Sequence, residues 1–168
     1  QVYLRALEPE DLELIYIIEN DESVWEVSQT QTPYSRFLIK QYLENCHKDI
    51  YEVKQLRLMI VTNSEEPVGF IDLFDFDPKN DKVGLGVLVL DHARGKKYGQ
   101  EALSLLINYA FKNLYVHQIY ANVLEDNLVS IKLFESLGFV KSGVKKDWVL
   151  EGNRYKNEYL FQLIKDVH

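Results

Sequence analysis

Cys46 is the only cysteine in the chain. It excludes an internal disulfide and fits a reducing, cytoplasmic setting. Nothing near it in sequence resembles an activating site, so it reads as a small packing residue rather than a nucleophile. No uninterrupted apolar run approaches the roughly 18 residues of a membrane span, and no membrane partner is expected. "QVYLRALEPEDLE" lacks the basic start, apolar core and small-residue cleavage site of an export signal. Cations are in the minority, 19 Lys and Arg against 26 Asp and Glu, for a formal charge of −7. That sign argues against duplex nucleic acid, whose binding depends on clustered cations, and mildly favours a cationic substrate. His47, His92, His117 and His168 lack metal-ligand spacing, so no metal site is expected. Repeats and low-complexity segments are absent too. A chain of 168 residues suits one core, which sets the expectation of a single domain over 1–168.

What is present alternates between strands and helices. "VYLRAL" reads as a short strand and "PEDLELIYIIEN" as a helix with Pro9 in its first turn. From Ser23 to Asp49 the pattern predicts two helices around a loop at "QTQTP", since residues before Pro33 are biased away from helix. "LRLMIVT", "PVGFIDLFDF" and "KVGLGVLVL", separated by the turn-like "NSEEP" and "DPKND", predict an antiparallel meander. A helix "GQEALSLLINYAFKNL", a strand "QIYANVL", a short helix "LVSIKLFESL" stopped at Gly138, and two last strands complete the chain. The fold class is therefore α/β in its centre, or mixed α+β, with a mixed, mostly antiparallel sheet flanked by helices.

Between the third meander strand and the long helix stands "HARGKKYG". A strand that ends in a glycine-containing turn and opens directly into a helix aims unpaired backbone N–H groups, and the positive end of the helix dipole, at one point. Gly95 and Gly99 allow close approach, and Arg94, Lys96 and Lys97 add charge, so a pyrophosphate would suit this loop. A solvated turn is the plain alternative. There is no GxxxxGK[ST] and no GxGxxG with a following acidic residue, so nucleotide hydrolysis and hydride transfer fall back.

These residues resemble the GCN5-related N-acetyltransferase family, whose hallmark [RQ]xxGx[GA] lies between a central strand and a helix and binds the pyrophosphate of acetyl-coenzyme A. Arg94 and Gly99 match its ends; Lys97 stands where the family has glycine, and with an ordinary negative φ its N–H would still be available. "NVLEDNLVSIKLFESLGF" resembles the family's NxxSxxLYxxxGF segment through Asn127, Ser130, Leu133, Gly138 and Phe139. The likeness extends over nearly the whole chain and is closest to spermidine acetyltransferases and ribosomal-protein amino-terminal acetyltransferases. It implies a splayed parallel strand pair whose gap takes the amide-rich pantetheine arm as an added strand. The residues it assigns to the coenzyme are Leu88, Val89, Leu90, Arg94, Gly95, Lys96, Lys97, Tyr98, Gly99, Asn122, Asn127, Ser130 and Phe134. Asn127 also reads as the N-cap of the following helix.

The resemblance implies direct acetyl transfer from acetyl-coenzyme A to a primary amine: a polyamine, another small amine or a protein amino terminus. A lysine-like amine, with pKa ~10.4, costs roughly 4–5 kcal/mol to neutralise at pH 7, so a carboxylate beside it is expected. Asp72 is favoured; Asp75 faces the other way on a regular strand, and Glu26 is a third candidate. Phe134 replaces the tyrosine that the family uses to protonate the leaving thiolate; Ser130 is the candidate substitute, a hydroxyl packed on its own helical turn being the alternative. The oxyanion is expected at a backbone N–H near Val89. Gly84 sits where an acidic residue is common in spermidine relatives, which weakens a polyamine acceptor. A non-catalytic acyl-coenzyme A sensor of the same fold is the alternative, and the terminal hairpin leaves room for a homodimer.

Overall fold

In the computed structural model, which describes residues 1–21 and 32–166, seven strands form one sheet in the order β1-β2-β3-β4-β5-β7-β6. These are β1 (Val2–Ala6), β2 (Leu56–Thr62), β3 (Pro67–Asp77), β4 (Lys82–Val89), β5 (Gln118–Leu124), β6 (Val140–Glu151) and β7 (Arg154–Ile164). β2, β3 and β4 form the expected antiparallel meander, and β4 and β5 are the one parallel pair in the sheet. The central runs are largely apolar because helices cover both faces, with Arg57 in β2 and Asp72 in β3 as charged interruptions. Ile60 and Ile71 belong to one core, while Met59, Val61 and Phe70 belong to the other.

Helix α4 (Tyr98–Asn113) seats Ala102, Leu103, Leu106 and Ala110 on the first face, a stripe at helical spacing, and α5 (Leu128–Ser136) adds Phe134. The second face receives Ile15 and Ile18 of α1 (Leu12–Glu19) and Ile39 and Leu43 of α2 (Arg36–Asn45). Among the described residues no helix is long and apolar enough to cross a membrane.

The two helices expected from Ser23 to Asp49 are met in part. The first falls on 22–31, outside the described residues. The second is α2, capped by Ser35, whose Oγ accepts from the Leu38 N–H at 3.1 Å. A short α3 (Ile50–Val53) follows, which the hydrophobic pattern does not separate. Its signal is Asp49, whose carboxylate accepts from the Tyr51 N–H at 2.7 Å and so starts a new helix. Between α1 and α2, Asn20 clamps the chain by exchanging hydrogen bonds of 2.8 and 3.0 Å with the backbone of Tyr34.

The entry to α1 carries a buried charge. Asp11 accepts from the Arg5 guanidinium at 2.8 and 2.9 Å and from the Glu8 N–H at 2.8 Å. Burial opposes the Asp11 charge, but the guanidinium and the amide prevail and hold its carboxyl below the ordinary range. With the folded pKa below the unfolded value, this stabilisation is complete above about pH 4 and is lost as pH falls through the folded pKa. Melting curves from pH 7 to pH 2 are expected to decline less steeply below pH 4 in Asp11→Asn than in the parent chain.

Candidate active site

β4 and β5 pair only through Lys82↔Gln118, Val83↔Ile119 and Gly84↔Tyr120, then separate. Beyond this point lies a cavity of about 430 Å³ lined from one side by Leu85 to Leu88 and from the other by Asn122, Val123 and Leu124. Strand amides alternate sides. The Leu90 N–H donates to Val68 at 2.8 Å, toward β3, so Val87 and Val89 turn their amides away from β3 into the gap. The Val89 carbonyl faces the same way and accepts from Arg94 Nε at 3.1 Å. The Val89 N–H, the expected oxyanion donor, is on the open side of the strand. Of the three residues assigned from this stretch, Leu88 lines the cavity, Val89 presents its amide, and Leu90 is engaged by β3.

The gap leads to the loop 94–99. Among the described residues, no protein group accepts from the N–H groups of residues 95–100, whereas the next amide, Glu101, donates to the Lys97 carbonyl at 3.1 Å. This row of free donors at the start of α4 stands where the spacing predicts an anion site. Arg94 is fixed over it by Val89 and by Asp91 at 2.8 Å, while Lys96 and Lys97 are exposed. Gly95 has φ +79°, a region that favours glycine. Gly99 lies where α4 meets β4 and α5; a β carbon there would stand 3.3 Å from Val89 and 3.7 Å from Leu133.

Lys97 corrects one expectation. Its φ is +65°, not negative, which is why a glycine suits this position. Its N–H is nonetheless free. Lys97→Gly is expected to stabilise the fold by about 0.5–1 kcal/mol, the backbone strain relieved outweighing glycine's extra freedom when unfolded; denaturant midpoints check this.

Asn127 caps α5 as expected, its Oδ1 accepting from the Ser130 N–H at 3.2 Å, and it also lines the gap. Ser130 lines it too, and its hydroxyl has no hydrogen bond to the described protein, unlike Ser136, whose Oγ donates to the carbonyl of Leu133 at 2.6 Å. Phe134 is buried edge-on against Phe139. Asn122 accepts from Lys145 Nζ at 3.0 Å, and the same ammonium meets Glu158 at 3.0 Å.

A second cavity, of about 510 Å³, opens on the α1–α2 side. Glu19, Arg57, Asp72 and Phe74 line both cavities, so the two meet at these side chains. Arg57 Nε and Nη2 donate to Asp72 at 2.7 and 3.0 Å, and Nη1 donates to Glu19 at 2.8 Å. Burial works against the Arg57 charge, but the adjacent carboxylates outweigh it and hold the guanidinium above its ordinary value.

Asp72 therefore lines the cleft, held in a bidentate pair with a fixed cation. Asp75 lines neither cavity; it is exposed on a bulge with φ +49°, so the regular-strand argument for its orientation does not apply. Glu26 lies outside the described residues. The Cys46 thiol donates to the Leu43 carbonyl, 3.0 Å away, and burial pushes its pKa up, away from thiolate chemistry.

Sequence reasoning missed Glu19, Arg57, Phe74, Trp148 and Glu158. Two carried a signal: Arg57 interrupts the apolar run "LRLMIVT", and Glu19 continues the buried face of α1 set by Ile15.

Comparison with known proteins agrees with this geometry. Residues 1–140 match the model of the acetyltransferase (GNAT) domain. An uncharacterised prophage-derived N-acetyltransferase of Bacillus subtilis is 27% identical over 163 residues, covering 97% of this chain and 89% of its own. The spermidine N(1)-acetyltransferase of Vibrio cholerae is 25% identical over 165 residues, covering 96% and 94%. A crystal structure of the Vibrio cholerae spermidine N-acetyltransferase with CoA and spermine superposes with a TM-score of 0.86 at 23% identity, covering 98% and 95%. A dodecameric structure of the Vibrio cholerae enzyme gives 0.81 at 24%, covering 98% and 94%.

The chain belongs to the GNAT acetyltransferase family. It is an N-acetyltransferase that acts on an amine and takes its acetyl group from acetyl-coenzyme A.

Proposed function

We propose that acetyl-coenzyme A lies with its pyrophosphate on the amides of 95–100 and its pantetheine in the β4–β5 gap, and that the acceptor amine enters from the α1–α2 cavity for direct transfer. One observation carries this reading: the two cavities meet at Glu19, Arg57, Asp72 and Phe74, where a thioester and an amine would have to come together. One sheet through all the described strands supports a single acetyltransferase domain over 1–168.

Each Asp72 oxygen has a second lone pair beyond the one directed at Arg57, and these orient the incoming ammonium by hydrogen bonding. Both carboxylates are tied to a guanidinium, so the amine's proton leaves to water in the open cleft. The neutral amine attacks the thioester carbonyl; the oxyanion is met by the Val89 N–H, aimed there before reaction. The tetrahedral centre collapses with the coenzyme sulfur as leaving group; Ser130 Oγ hands the sulfur a proton and regains one from the former amine nitrogen, which becomes the amide N–H. A thiol with pKa near 8.5 needs little help to leave, which is why Phe134 in the tyrosine position is compatible with turnover.

The test is a melt with and without acetyl-coenzyme A. Saturation at ~100 times the dissociation constant adds about 2.7 kcal/mol to the folded state. A clear upward shift is expected; no shift at millimolar coenzyme would overturn the placement.

A further inference from the structure

The geometry points to a particular acceptor: a primary amine on an apolar body, its ammonium at Asp72 and Glu19 and its body against Phe74, Tyr42 and Leu38. This rests on the placement of the coenzyme in the β4–β5 gap.

Charge is the first ground. Among the described residues lining the α1–α2 cavity the charged ones are Glu19, Arg57 and Asp72, which sum to −1. One ammonium meets both acids at once, and beyond it the described walls are mostly apolar, so an apolar body is favoured next to it. Arg57 already occupies both carboxylates and lies 5.3 Å from the centre of the Phe70 ring and 5.9 Å from that of Tyr42, so a resident cation also holds the nearest aromatic faces. Burial pushes the Tyr42 pKa up to about 12, so its hydroxyl supplies no negative charge at neutral pH.

Shape is the second ground. Phe74 and Gly84 are directly opposed across β3 and β4, and the Phe74 ring fills the space that a β carbon at 84 would need. The ring is held edge-on by Tyr120 at 5.9 Å. The floor where the cavities join is therefore aromatic, and no side chain, acidic or otherwise, can rise from position 84 without displacing it. Around it stand Ile15, Leu38, Ile39, Leu56 and Leu73, and about 510 Å³ is room for a body the size of an arylalkyl group. Such a body can come from a small arylalkylamine or from the amino-terminal residue of a peptide with a large apolar side chain.

The deciding experiment measures coenzyme release from acetyl-coenzyme A with four acceptors: phenethylamine, spermidine, and tripeptides beginning with Phe or with Ser. A kcat/KM at least tenfold higher for phenethylamine or the Phe tripeptide than for spermidine is expected, and the better of the two names the source. Spermidine, or the Ser tripeptide, matching the better apolar amine would overturn the proposal. In Leu38→Glu, where the parent residue is 50% exposed and its replacement is tolerable to the fold, the ratio of apolar amine to spermidine should fall at least fivefold. An unchanged ratio would show that this cavity does not hold the acceptor. A coenzyme-induced melting shift with spermidine preferred defeats this inference alone; loss of the shift defeats the coenzyme placement with it.

Discussion

Replacing Arg94 with Gln and Lys96 with Glu will weaken acetyl-coenzyme A binding by about two orders of magnitude and lower the melting temperature of the empty protein by only a few degrees. Hydrogen bonds to charged groups contribute about 1.5–3 kcal/mol each, and losing two cations beside a pyrophosphate while adding an anion removes at least two such contributions. Both residues are exposed, and the packing of α4 on the sheet rests on Gly99, Ala102 and Leu103 instead, so the fold is little affected. Titration calorimetry gives the affinity, and a binding constant within threefold of the parent would remove the loop from the coenzyme site. The apparent affinity of the parent should also fall with added salt more steeply than that of the variant.

Arg57→Leu is the second large effect. It leaves Glu19 and Asp72 facing each other in a half-dry cleft, their side chains 19% and 30% exposed. Removing one partner of a buried ion pair typically costs 3–5 kcal/mol; with a quarter of Arg57 exposed, about 2–4 kcal/mol is expected, together with loss of most turnover. Adding Asp72→Leu should restore much of the stability, because two apolar groups replace a pair whose desolvation is itself expensive, but it should not restore activity. Urea midpoints and kcat separate the two effects. Equal recovery of both in the double variant would mean that the ion pair only builds the fold and takes no part in orienting the amine.

The meander, the long helix and the closing hairpin were legible in the sequence because each is signalled locally, by apolar runs bounded by turn residues; the runs "LRLMIVT" and "QIYANVL" coincide with β2 and β5. The loop with its row of free amides was legible for the same reason: all of its parts lie between residues 94 and 100. What escaped was register. Arg57 and Asp72 are directly opposed across β2 and β3, as are Phe74 and Gly84 across β3 and β4, and runs of apolar residues do not reveal which positions face each other. The positive φ of Lys97 escaped because a lysine gives no sign of it. Glu19 reaches Arg57 from a separate helix, a contact that exists only after α1 has docked on the sheet.

The brevity of the β4–β5 pairing bears on the mechanics of the whole molecule. β1 to β4 make one plate and β5, β7 and β6 another, joined edge to edge by the residues 82–84 and 118–120 and bridged by α4. Sheets are ordinarily stiffest at their centre, where every backbone group is matched. Here the seam runs down the middle, so cohesion between the plates rises when a molecule with its own amides fills it and relaxes when that molecule departs. With the coenzyme placed there as proposed, each catalytic cycle would fasten and loosen the protein's own framework.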